Sequence, residues 1–265
     1  MVEILTQTCI GCGRCVADCF PRNLFLSDGK AHVKRVCMEC GHCFAVCPTG
    51  AVRISGYPED GVMELKDAPA ADGEALLALI KSRRSIRRYQ DRPVPDEVIA
   101  RVLEAGRFTP TGGNRQDVRY VVVRAALPRL RELVWESLER LLESEDWSEG
   151  PRRRYRATLR LMARAHRADP ANDGLFFSAP ALLLVLSSAP LDGALAASTV
   201  ELMAHAQGLG ALFSGFIHTA LAASGEACAL LDIDPAQLCA CLLLGYPDVT
   251  YRRTVPRKST QVRWL

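Results

Sequence analysis

The sequence predicts an α+β protein in two unequal parts, and three observations predict it. Eight of the eleven cysteines fall in two short runs, "CIGCGRCVADCF" (Cys9–Phe20) and "CMECGHCFAVCP" (Cys37–Pro48), so a small N-terminal domain is organised by its thiols. The stretch from Ser55 to Gly73 then mixes Gly, Pro and acids with no sustained period, as a linker or surface wrap does. Beyond it, helical periodicity alternates with apolar strand-like runs, the mark of helices gathered around a buried sheet. The divisions are 1–55 for the thiol domain, 56–73 for the linker and 74–265 for the larger domain.

The thiol runs admit three chemistries: disulfides, structural zinc or iron–sulfur clusters. "MVEILTQT" has neither a basic start nor an apolar core of export-signal length, and "APALLLVL" is too short to span a bilayer. A cytoplasmic, reducing location is therefore expected, which argues against disulfides. Zinc sites pair two short Cys-x-x-Cys hooks around one ion and stay as an alternative. Each run here has three cysteines at spacing three and a fourth after a gap of four. That matches C-x2-C-x2-C-x3-C, the run known from bacterial ferredoxins with two [4Fe–4S] clusters, a match to a known pattern and not a derivation. Three thiolates on one tight loop reach three corners of a cubane, and the fourth points at the other cluster. The expected metal ligands are Cys9, Cys12, Cys15 and Cys47 for one cluster and Cys37, Cys40, Cys43 and Cys19 for the second. Pro48 follows the last cysteine, while the proline of the first run is displaced to Pro21.

Charge excludes little. The net +3 is too small to imply a nucleic-acid partner. Residues 1–55 carry Lys/Arg at 14, 22, 30, 34, 35 and 53 against Asp/Glu at 3, 18, 28 and 39, so this region is not an acidic surface.

In the larger domain "EALLALIKSR" from Glu74 reads as a helix, and a second begins near Asp96, read as an N-cap after Pro95. "VRYVVVR" (118–124) reads as an alternating strand, "ALLLVLSS" (181–188) as a buried one and "LCACLLLGYP" (238–247) as another core strand. "GALAASTVELMAHAQGLG" reads as a long buried helix stopped by Gly208. "PRRRYRATLRLMARAHR" puts Arg153, Arg156, Arg160, Arg164 and Arg167 on one helical face; it is preceded by Glu136, Glu139, Glu143, Glu145 and Asp146, and an acidic helix beside a basic one is the favoured reading. His205 reads as a satisfied core group, Cys239 and Cys241 as core residues, and His218 is held as a possible proton donor.

Three stretches offer groups suited to a phosphorylated flavin. "SRRSIRRY" (Ser82–Tyr89) presents Arg83, Arg84, Arg87 and the Ser85 hydroxyl as phosphate donors. "TPTGGNRQ" (Thr109–Gln116) combines the close approach permitted by Gly112 and Gly113 with the amides of Asn114 and Gln116. "VPRKS" (Val255–Ser259) adds a basic end. Singly the first reads as a solvated basic helix end and the second as a plain turn. In this order, with "GLGALFSGF" (208–216) and "LLLGYP" (242–247), they resemble the nitroreductase family of FMN enzymes over roughly residues 74–260.

The resemblance implies an α+β domain with a central, mainly antiparallel sheet, and a homodimer with FMN at its interface. It implies that Arg83, Arg84 and Ser85, with Arg87 close by, meet the FMN phosphate or ribityl chain, and that Arg257 and Lys258 complete that site. Asn114 and Gln116 would meet the flavin, and Leu212, Phe213, Ser214 and Gly215 would line its ring. Asp117 and Val118 stand where many relatives have Pro and Trp, and Ser214 where many have an acid. No catalytic acid is named. The expectation is a ferredoxin-fused, nitroreductase-like flavoprotein, an oxidoreductase using FMN and two [4Fe–4S] clusters. Reduced ferredoxin or a similar carrier would be its donor and a nitroaromatic, quinone or other conjugated small molecule its acceptor, with no nucleic acid and no membrane partner. The alternatives are an NAD(P)H-oxidising flavoprotein passing electrons outward through the clusters, and a non-catalytic iron–sulfur sensor.

Overall fold

The computed structural model describes residues 1–57, 62–145, 147 and 152–265. Residues 58–61 of the expected linker and Asp146 of the acidic segment lie outside the described residues. The chain divides into two compact units: residues 1–70 with 111–115, and residues 71–110 with 116–265.

The first unit is two near-repeats. Strand β1 (Val2–Ile4) leads to helix α1 (Arg14–Ala17) and the hairpin β2 (Leu24–Ser27) and β3 (Lys30–Val33); helix α2 (His42–Ala45) and strand β4 (Val52–Ile54) follow. β1 closes on β4 antiparallel, Val2 opposite Ile54, so the ends of the unit pair with each other. Gly13 and Gly41 precede α1 and α2 with φ of 74° and 80°, a left-handed conformation that costs Gly nothing. At Gly11 a methyl group would overlap the carbonyl oxygen of Gly29, so the loop passes there only because no side chain is present. The small core is Val2, Leu24, Ala31, Ala51 and Val52 with the buried thiols Cys9, Cys15 and Cys43.

The second unit is built on one four-stranded sheet of β5 (Arg119–Val123), β6 (Ala181–Leu186), β7 (Gly210–Phe213) and β8 (Leu238–Gly245), in the order β5-β6-β8-β7. Every neighbouring pair is antiparallel, as expected. All six β6 residues are buried because helices cover both faces. Period-two alternation sends Leu182, Leu184 and Leu186 into one core and Ala181, Leu183 and Val185 into the other. The first core is covered by α5 (Leu127–Leu142), α6 (Arg153–Ala168), α8 (Gly215–Ala222) and α9 (Gly225–Leu231); the second by α4 (Asp96–Arg107) and α7 (Pro190–Ala206). α3 (Gly73–Ser82) has Leu76, Leu77 and Ile80 exposed. Leu184 is fully buried at the sheet centre, so Leu184→Ala should cost about 2–5 kcal/mol, read as a lower midpoint in urea with unchanged slope.

One expectation needs correction: Asp96 is the first helical residue of α4, and Pro95 takes the cap position without a side-chain hydrogen bond. α7 ends at Ala206 with Gln207 as its C-cap, and Gly208, with φ of 76°, stops it and turns the chain toward β7, as expected. The paired acidic and basic helices are present: Arg160 reaches Glu143 at 2.5 Å, Arg167 reaches Glu139 at 2.5 Å, and Arg156 Nε donates to Leu142 O at 2.7 Å at the C-terminal end of α5.

Candidate functional site

In the first unit the cysteines line two cavities. Cys9, Cys12, Cys15 and Cys47 line one, together with Ile4, Ala31, Ala51 and Val52. Cys19, Cys37, Cys40 and Cys43 line the other, together with Val2, Leu24, Val33 and Pro21. Each run thus contributes three thiols to one cavity and its last thiol to the other. Among the described residues no three His, Cys, Asp or Glu side chains converge as ligands of a single ion do.

Backbone N–H groups are aimed at one or more sulfurs of each set. Ala31 N donates to Cys9 Sγ at 3.4 Å and Ala51 N to Cys47 Sγ at 3.2 Å. Asn23 N donates to Cys19 Sγ at 3.2 Å and Glu39 N to Cys37 Sγ at 3.4 Å. The Lys30 ammonium sits on the carbonyl of Cys9 at 2.5 Å. Burial pushes the Cys43 thiol up to about 11 and raises Cys15 as well, outweighing the backbone hydrogen bonds of Phe44 and of Val16 that act the other way. Burial also acts upward on Cys47, but the N–H groups of Thr49, Ala51 and Gly50 and the Thr49 hydroxyl outweigh it and leave that thiol below its ordinary value.

In the second unit the arginine cluster lies between α3 and β7. Arg83 Nη1 forms a 2.8 Å ion pair with Glu201 Oε1 on α7. Glu201 is buried; desolvation raises its carboxyl and the Arg83 guanidinium only partly offsets this. Arg84 Nη2 donates to Lys81 O at 3.1 Å, but its Nε is buried and has no hydrogen-bond partner. A buried guanidinium N–H without an acceptor is costly and marks a place suited to an anion. Ser85 pairs with Ala211 through a parallel bridge, which fixes the arginine strand against β7, and Arg87 is exposed. Ser82 Oγ meets His205 Nε2 at 2.9 Å; burial, then Arg83, pushes that imidazole's pKa down.

The other expected residues are dispersed. Leu212 is buried in β7 and Phe213, at its end, is largely exposed. Ser214 caps α8: its N–H is committed to Cys241 O at 2.9 Å and its hydroxyl oxygen accepts from Ile217 N at 3.3 Å; Gly215 is the first residue of that helix. Gln116 adopts φ of 50° just before β5. Asn114 belongs to the segment grouped with the first unit, where Nδ2 donates to Met38 O at 3.2 Å and Glu39 O at 3.0 Å. Arg257 and Lys258 lie on an exposed, irregular C-terminal run. His218 directs Nε2 to Leu238 O at 2.9 Å, which ties the ring to the sheet. Sequence reasoning missed Glu201, although a lone acid in the apolar run "STVELMAHA" signals a buried charge in need of a cation.

Residues 80–246, well over half of the chain, match the model of the nitroreductase family. The chain belongs to the nitroreductase family. Among solved structures, a nitroreductase with bound FMN from Desulfitobacterium hafniense is 25% identical, with a TM-score of 0.54 over 71% of this chain and 98% of that one. A nitroreductase with bound FMN from Bacteroides fragilis is 22% identical, with a TM-score of 0.56 over the same shares, a likeness of fold. Two curated relatives carry the name putative NADH dehydrogenase/NAD(P)H nitroreductase. That of Archaeoglobus fulgidus is 45% identical over 51 residues, 19% of this chain and 29% of the relative, and that of Methanothermobacter thermautotrophicus is 45% identical over 49 residues, 18% and 26%. The chain thus covers less than a third of either relative's length. Among the described residues no helix of this nitroreductase-family chain is long and apolar enough to cross a membrane.

Proposed function

We propose that this nitroreductase-family protein is an FMN-dependent oxidoreductase that receives electrons through two [4Fe–4S] clusters and reduces a small conjugated acceptor such as a nitroaromatic or quinone. The observation that carries the proposal is the pair of four-thiol cavities beside a nitroreductase domain in one chain. Four thiols that line one cavity without converging on a single point suit a multi-atom cluster better than a zinc ion, whose four ligands would converge at roughly 2.3 Å. Buried thiols held neutral by desolvation are also groups that a strongly cationic metal core converts to thiolates. In this reading domain 1–55 holds the clusters, 56–73 links, and 74–265 holds FMN.

For the flavin, the orphaned Arg84 Nε supplies the fit: it is a fixed, buried donor awaiting an anionic oxygen. Arg84 would grip the phosphate, with Arg83 oriented by Glu201 and with Ser85, Arg87, Arg257 and Lys258 adding donors. Leu212 to Gly215 would support the ring, and Gln116 would frame its edge. The flavin, once bound, supplies the change from one-electron to two-electron chemistry. A homodimer is supported by the exposed apolar face of α3 and by the exposed run after Asp248, which leave apolar surface for a second copy.

The names of the curated relatives favour a second reading, in which NAD(P)H reduces the flavin and electrons leave through the clusters. Anaerobic titration separates the two. Protein purified without oxygen should contain about eight iron and eight sulfide per chain. Reduced ferredoxin should bleach the flavin and NAD(P)H should not. Bleaching by NAD(P)H alone selects the second reading, and stoichiometric zinc without sulfide removes both.

A further inference from the structure

Asn114 ends a tight turn, Gly112–Asn114, with φ of 57°. This left-handed conformation is one that Asn and Gly accept far better than other residues. Its amide has two protons, and Nδ2 has two acceptors, the carbonyls of Met38 and Glu39. Those carbonyls lie within the loop Cys37–Cys40, between two thiols of the second cavity.

The planarity of the peptide bond turns this contact into a lever. Met38 C=O and Glu39 N–H belong to one rigid unit and point in opposite directions. Asn114 holds the carbonyl edge, while the N–H edge donates to Cys37 Sγ at 3.4 Å. Glu39 is itself left-handed, with φ of 54°.

We propose that Asn114 is a positioning residue for the second thiol set: by clamping the Met38–Glu39 peptide it keeps an N–H on Cys37 Sγ and so sets the reduction potential of the group held by Cys19, Cys37, Cys40 and Cys43. This rests on the [4Fe–4S] reading. An N–H on a ligating sulfur stabilises the more negative, reduced state, so its loss makes that cluster harder to reduce. The family resemblance directs Asn114 to the flavin; the hydrogen bonds direct both of its amide protons to the cluster loop.

The test is an anaerobic redox titration, followed by electron paramagnetic resonance, of the wild type, Asn114→Gly and Asn114→Asp. Both substitutes tolerate φ near 57°; Gly removes the donor, and Asp sets a carboxylate against the two carbonyls. Wild-type protein should hold two clusters and show two one-electron steps. Both variants should keep their iron, sulfide and FMN. One step should fall by at least tenfold in reduced-to-oxidised ratio at fixed potential, about 59 mV for one electron, with the larger shift in Asn114→Asp, while the other step stays in place. Two unmoved steps in both variants would overturn the assignment, and so would loss of FMN with the potentials intact. A wild type without sulfide would instead refute the cluster reading, a distinct result.

Discussion

Cys19→Ser should abolish electron delivery to the flavin while leaving the flavin in place. Cys19 lies in the first cysteine run, yet its sulfur lines the cavity of Cys37, Cys40 and Cys43 and accepts from Asn23 N at 3.2 Å. Under the cluster reading the variant loses the second cluster and with it about half of the iron. The cavity of Cys9, Cys12, Cys15 and Cys47 keeps all four thiols. Turnover driven by reduced ferredoxin should fall to background. A chemical reductant acting directly on the flavin should still support substrate reduction, because the second unit has its own sheet and two apolar cores. Iron analysis with both electron sources on one preparation is decisive. Full ferredoxin-driven turnover in protein shown to lack the second cluster would take that cluster out of the electron path. Loss of the first cluster instead would break the ligand assignment.

Arg84→Leu should weaken FMN binding by roughly ten- to a hundred-and-fifty-fold, from one lost charge-assisted hydrogen bond of about 1.5–3 kcal/mol. Arg84 is a cleaner probe than its neighbour. Removing Arg83 would leave the Glu201 carboxylate buried without its 2.8 Å partner, a change that costs about 3–5 kcal/mol of stability in comparable pairs and confounds a binding assay. Arg84 Nε has no partner to orphan and Nη2 holds only the exposed carbonyl of Lys81, which water can satisfy, so removing the side chain should leave apoprotein stability nearly unchanged. Equilibrium dialysis read by flavin fluorescence, with a thermal melt of the apoprotein, separates the two effects. An unchanged FMN affinity would place the phosphate elsewhere.

Legibility in the sequence followed the range of the interactions. The thiol runs were readable because three ligands of a cluster come from one short loop, so the chemistry is written in local spacing. The buried strands 181–186 and 238–245 were readable because helices on both faces demand unbroken apolar runs. The acidic and basic helices were readable as complementary charges. β7 was not: Gly210–Phe213 is four residues long, and it is a strand only because β8 pairs with it. The start of α3 was misjudged by one residue because Asp72, read as linker, is its cap and accepts from Glu74 N and Ala75 N. In the candidate flavin site the arginines stood out, whereas the Glu201 pairing and the grip of Asn114 on Met38 and Glu39 join residues more than seventy positions apart, which no local pattern encodes.

The double-sided burial of β6 has a consequence for how the chain comes into being. "ALLLVL" is an uncharged β-prone hexamer that finds its partners in β5 and in β8, each more than fifty residues away along the chain. Loops that long close slowly relative to local helices. On the ribosome β6 therefore emerges well before β8, and for that interval an apolar strand edge is open to other chains. Yield from an expression host is then governed by the race between β8 arriving and β6 meeting its counterpart on another nascent chain, so slower synthesis at low temperature favours soluble protein by lowering the concentration of half-made chains.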